Sequence, residues 1–170
     1  MSKAFTRESE SGSDEPVASS PAFSLPPGVK NYLTADGARR LKEELTRLVE
    51  VERPRAAGST ERRRELAVVD QRIAYLHQSL QAAEIVKQPI APDGVVRFGA
   101  TVTVRDNFGG TSKYRIVGID EMDVDREWVS WRSPVARALL NKRLGEKVRF
   151  AVPEGERILE IVEIGYEGSE

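Results

Sequence analysis

Two sets of apolar residues recur at heptad spacing and mirror each other about one point in the chain. In the first, Ala38, Leu41, Leu45 and Leu48 lie three, four and three residues apart; in the second, Leu66, Val69, Ile73, Leu76, Leu80 and Ala83 repeat the rhythm. A stripe this narrow suits a helix with a single buried seam rather than one buried on many sides. Laid antiparallel, Leu48 meets Val69, Leu45 meets Ile73, Leu41 meets Leu76 and Ala38 meets Leu80. Each pair is centred on Gly58–Ser59, residue types that favour turns. The pattern therefore predicts an antiparallel two-helix coiled coil over Thr34–Glu84, inside a unit of residues 30–87, with its tip near residue 58. Two helices of an ordinary bundle are the alternative, but the seam offers no third helix to complete one.

Charge sets the next limit. Charged residues make up 31% of the 170-residue chain, yet they balance to a net −1. A global attraction to nucleic acid is excluded, and any such role has to come from local patches. With no cysteine, disulfides and thiolate chemistry are excluded, which fits a reducing cytoplasm. No apolar run is long enough to span a membrane and no signal-peptide core opens the chain, so a soluble, cytoplasmic protein is expected.

Residues 1–29 are rich in Ser, Glu and Pro, and Pro16, Pro21, Pro26 and Pro27 break any helix there. The segment reads as a disordered tail, with Phe5, Phe23 and Leu25 as its only sizeable docking groups. Thr34 is placed to cap the first arm, and Asp36 suits the helix dipole. Pro54 is expected to end or kink that arm, and Ser59 or Thr60 to cap the second. A short linker, Gln88–Gly94, then opens a unit of residues 88–170 in which the period changes from heptad to alternation. Strands are predicted over Val95–Arg105, Lys113–Val117, Glu127–Arg132, Lys147–Val152 and Arg157–Ile164, with turns at Asn107–Gly110 and Pro153–Gly155. Ser133 caps one short helix with Pro134 at its first position. The expected class is α+β: the hairpin, then a strongly bent antiparallel sheet with one helix.

Around the tip, Arg53, Arg55, Arg62, Arg63 and Arg64 face only Glu61 within residues 53–64, a net +4 at the end of a rod. Such a run is either a solvated face or a phosphate- or acid-seeking tip. No nucleophile–base set is visible, and the single histidine, His77, sits beside the seam where an exposed role is commonest. One histidine without cysteine does not make a zinc site. The loop Asp120, Glu121, Asp123, Asp125 lacks the spacing of a calcium loop and reads as a solvated turn more readily than as a cation site. No cofactor or metal is expected. In Glu127–Arg132, alternation sends Val129 and Trp131 to one face and Trp128, Ser130 and Arg132 to the other. Trp128 is then either a partner contact, as exposed aromatic–Arg pairs often are, or packed beneath the coiled coil or the helix.

Several short motifs occur together in one order: Asn31-Tyr32-Leu33-Thr34-Ala35-Asp36-Gly37, Val51-Glu52-Arg53-Pro54, Phe98-Gly99-Ala100, Tyr114-Arg115-Ile116-Val117-Gly118 and Ser133-Pro134-Val135-Ala136-Arg137-Ala138-Leu139-Leu140. They resemble the bacterial Gre transcript-cleavage factors, the GreB branch most of all, across most of residues 30–166. The resemblance implies a coiled coil followed by a domain similar to FK506-binding proteins (FKBP-like), and a monomer that regulates RNA polymerase rather than an enzyme. Members dock the C-terminal domain on the rim of the polymerase's secondary channel and push the coiled coil inside, where acidic tip residues hold a magnesium ion. The polymerase itself then cleaves the backtracked transcript. The match implies docking through Trp128, Ser130, Arg132, Ser133 and Pro134.

This chain departs from that pattern at the tip. The family's acidic stretch has no counterpart between Pro54 and Asp70, and each arm is shorter by roughly two turns, about 12 Å. Arg132 stands where the family often has an acid. The expectation is a GreB-like elongation factor that occupies the channel without stimulating cleavage, its basic tip near nascent RNA or DNA. The rival readings are a prolyl isomerase of the same fold, or a nucleic-acid binder working through the tip.

Overall fold

The computed structural model describes residues 28–57, 62–87 and 93–166. The apolar seam does form a helical hairpin. Its first arm starts at Thr34, whose side chain accepts a hydrogen bond from the Gly37 backbone N–H, and runs through helix α1, Ala35–Arg47. The second arm is helix α3, Arg63–Gln81. Leu33, Ala38, Leu41, Leu48 and Leu76 form its buried core, with Leu45, Val69, Ile73 and Leu80 packed against them. Across the arms, Arg72 donates through Nε and a terminal nitrogen to both oxygens of Glu44, at 2.8 and 3.0 Å, which fits the register set by the seam.

Two details differ from expectation. Pro54 neither ends the first arm nor leaves a break. A π-helical turn at Leu48–Glu52 precedes it, in which the Arg53 N–H bonds back five residues to the Leu48 carbonyl, and a helical turn α2, Arg53–Ala56, follows. Widening the turn ahead of a proline relieves the clash its ring would otherwise make with the preceding carbonyl. The second arm ends at Gln81 rather than Glu84, because strand β2 (Ala83–Ile85) leaves the helix to pair in parallel with β1 (Asn31–Leu33). That pair ties the two ends of the hairpin together at its base. The turn expected at Gly58–Ser59 and the caps at Ser59 or Thr60 lie outside the described residues, as do the tail and most of the linker.

The second unit is a five-stranded curled sheet, β3 (Thr101–Asp106), β4 (Thr111–Val117), β5 (Trp128–Ser130), β6 (Lys147–Val152) and β7 (Gly155–Gly165), in the order β5-β4-β3-β7-β6. Four strands are antiparallel. The fifth corrects the expected all-antiparallel sheet: β5 runs parallel to β4, with Arg115 opposite Trp128 and Val117 opposite Ser130. The loop of residues 118–127 brings the chain back to make this possible. Val95 lies outside any strand, in an isolated bridge to Arg143. Alternation along β3 buries Val102 and Val104 against Ile116, Leu159 and Ile161. Helix α4 (Pro134–Leu139) closes the core with Ala136 and Leu139, its start capped by the Ser133 side chain accepting from the Ala136 N–H at 3.2 Å. No helix among the described residues is long and apolar enough to cross a membrane.

Candidate functional site

The hairpin and the sheet meet at a polar joint built on two carboxylates. Both come from a 3-10 turn at Ile119–Glu121, just after β4. Glu121 is 5% exposed. One of its oxygens accepts from the Thr34 N–H at 2.9 Å and the Gly118 N–H at 3.0 Å, and the other accepts from the Thr34 hydroxyl. Thr34 therefore caps α1 and bonds the sheet domain at once. Asp120 accepts from Asn31 Nδ2 at 3.2 Å and from the hydroxyls of Tyr75 and Ser79. Asn31 Nδ2 also donates to the Ser79 carbonyl at 3.1 Å, joining β1 to α3. Burial, and then the bond to Asp120, pushes the Tyr75 phenol well above its ordinary value.

Around this joint lies a cation-lined aromatic. The guanidinium groups of Arg40, Arg115 and Arg126 stand 4.4, 4.5 and 5.2 Å from the Trp128 ring centroid. Cation–π attraction of this kind strengthens when the partners are shielded from water. Arg40 comes from α1, so Trp128 is a half-buried bridge between the hairpin and the sheet. It follows the alternative of packing beside the coiled coil, while one edge still faces outward. The neighbouring loop leaves Val124 88% exposed.

The remaining residues of this face are placed as follows. Ser130 is buried, and its Oγ accepts from the Arg132 N–H at 3.1 Å, so it shapes the backbone rather than presenting itself. Arg132 and Pro134 are exposed, and Ser133 is spent on its cap. Val129 and Trp131 pack against the core, as alternation predicts. Trp131 also meets Tyr32 edge-on, with ring centroids 5.4 Å apart.

At the tip, the five arginines divide. Arg53 turns back along the rod to pair with Asp70, Nε to Oδ1 at 2.7 Å, so it adds no free charge to the end. Arg62 donates to the Arg55 carbonyl at 3.0 Å. Arg55, Arg62 and Arg64 rim a groove floored by Ala56, Val68 and Val69, with Glu52 and Glu65 at its margin. Arg63 is exposed, and Glu61 lies outside the described residues. Among the described residues of the tip, Glu52 and Glu65 are the carboxylates that line this groove.

Sequence reasoning missed the joint. It treated the 120–125 loop as solvated or cation-binding, whereas Asp120 and Glu121 point inward and Asp123 binds its own loop through Arg126. Among the described residues no three His, Cys, Asp or Glu side chains come together as a metal site. The available signal was the close spacing of Gly118 and Glu121. A β-carbon at Gly118 would lie 2.2 Å from the Tyr32 carbonyl oxygen, so the glycine is what lets the domains approach.

The chain has sequence relatives among known proteins. The family model described as "Transcription elongation factor, GreA/GreB, C-term" matches residues 91–166. The transcription elongation factor GreB of Neisseria meningitidis serogroup B is 38% identical over 155 residues, covering 81% of this chain and 94% of that protein. The transcription elongation factor GreA of Alkalilimnicola ehrlichii is 39% identical over 152 residues, covering 79% and 96%. A solved GreA/GreB factor from Nitrosomonas europaea is 24% identical, covering 81% of this chain and 99% of that one, at a TM-score of 0.41, too low to carry an argument. The sequence relatives decide the matter: the chain belongs to the GreA/GreB family of transcription elongation factors.

Proposed function

We infer that this chain is a GreB-like regulator that docks on RNA polymerase and occupies its secondary channel without stimulating transcript cleavage. In this reading residues 30–87 form a coiled coil that enters the channel, and residues 88–170 form an FKBP-like docking domain. The docking face is the edge of Trp128 with Arg132 and Pro134, backed by Ser130 and Ser133. The rod carries its arginine-rimmed tip toward an acidic channel wall or a nascent RNA end. The chain works in the cytoplasm as a monomer, and contributes no catalytic group of its own.

The observation that carries this reading is the tip. Holding a magnesium ion takes hard oxygen ligands set about 2.1 Å from the metal. Here Arg55, Arg62 and Arg64 line a groove between the ends of the arms, outnumbering Glu52 and Glu65, so the local field disfavours a cation.

Competition tests it. A labelled, cleavage-competent Gre factor is bound to core RNA polymerase, and this protein is titrated in. Displacement at concentrations within about tenfold of the labelled factor's own Kd is expected. A labelled factor that stays bound at a hundredfold excess would contradict the reading.

A further inference from the structure

From the proposed docking face the chain runs on into a stretch of basic residues, the basic ridge. From Trp131 to Gly145 the chain carries Arg132, Arg137, Lys142 and Arg143, and no aspartate or glutamate. Helix α4 buries Ala136 and Leu139 and leaves Pro134 and Arg137 exposed. The chain then turns at Asn141, where φ is 64°, and the Lys142 carbonyl accepts from the Val96 N–H at 2.8 Å. Arg132, Arg137 and Arg143 are exposed, and among the described residues no carboxylate pairs with any of the four cations. Like charges held on one fixed stretch repel, and an anionic occupant relieves that cost.

A matching run of acids lies in the same chain. Residues 8–29 hold Glu8, Glu10, Asp14 and Glu15, and no lysine or arginine. Their root is beside the ridge: Tyr32 packs on Trp131, the residue that precedes Arg132. The seventeen steps from Glu15 to Tyr32 extend to at most about 60 Å, ample reach for the length of the ridge. Tethering keeps the acids there at an effective concentration on the order of millimolar, which no separate acidic protein matches.

We propose that the acidic segment Glu8–Glu15 occupies the basic ridge Arg132–Arg143 and competes with the polymerase for the docking face. The competition rests on the docking reading; the contact itself stands on charge and placement alone. Exposed ion pairs of this kind weaken once the Debye length falls below their spacing, so the occupancy is sensitive to salt.

The test compares the full chain with a variant carrying Glu8→Gln, Glu10→Gln, Asp14→Asn and Glu15→Gln, which changes no residue between Gly28 and Tyr166. At about 50 mM salt, backbone amide NMR signals of Arg132–Leu144 should differ between the two proteins, and the difference should vanish near 0.5 M. In the low-salt buffer the variant should bind core polymerase roughly fivefold more tightly. Identical ridge signals would overturn the proposal, and so would signals that move with protein concentration, which would assign the contact to a second copy. Failure of both proteins to bind polymerase would contradict the docking reading instead, while the NMR comparison would still decide the contact.

Discussion

At the scale of single residues, the joint between hairpin and sheet makes sharp demands. A β-carbon at Gly37 would lie 1.9 Å from Glu121 Oε1. Replacing a helix-interior glycine by alanine ordinarily gains up to about 1 kcal/mol. Here the sign should reverse: Gly37→Ala is expected to cost about 2 kcal/mol in urea unfolding, and to become neutral or stabilising in a Glu121→Ala background. Glu121→Gln alone should cost about 2 kcal/mol, because an amide cannot accept at both oxygens as the carboxylate does for Thr34 and Gly118. Tyr75 gives a pH signature. Its folded-state pKa is raised, chiefly by burial and then by Asp120, so the folded protein keeps a proton that the unfolded chain releases near pH 10. Its contribution is therefore intact below about pH 10 and lost as the pH rises through the folded-state value. Unfolding measured from pH 8 upward should show that decline, and Tyr75→Phe should flatten it.

At the scale of elements, the hairpin is held by its seam more than by its ion pairs. Leu76 is fully buried between the arms, whereas the Arg72–Glu44 pair is 42% and 29% exposed at its side chains. Leu76→Ala should cost about 3 kcal/mol, and Arg72→Ala less than about 1 kcal/mol. Equal losses would mean that the arms are not zipped by the apolar stripe. The seam was legible in the sequence because a heptad is a local signal: each leucine predicts the next within four residues. The Ser133–Pro134 helix start and the Val102/Val104 alternation were legible for the same reason. The joint was not, since Asp120 and Glu121 find partners 41 to 89 residues away, and no local period reports such a contact. Strands β1 and β2 are three residues each, too short for alternation to register, and the parallel placement of β5 depends on where its loop returns. Pro54 was read as ending or kinking the arm because the sequence shows the lost donor but not the π turn that absorbs it.

At the scale of the whole molecule, a helical hairpin is fixed to a small sheet domain through Asp120, the buried Glu121 and a tryptophan flanked by guanidinium groups. A fixed joint turns docking at one end into a defined position for the tip at the other. On the family reading, what that tip carries decides what the factor does. In the proposed function, Arg55, Arg62 and Arg64 outnumber Glu52 and Glu65 in the tip groove and favour an anionic neighbour. The proposed function is therefore occupancy without cleavage. A stalled, backtracked elongation complex with labelled RNA, magnesium and a saturating amount of this protein tests it. No release of short 3′ fragments above the polymerase's own background is expected, together with suppression of the release that an added active Gre factor causes. Rapid release of 3′ fragments with this protein alone would contradict it.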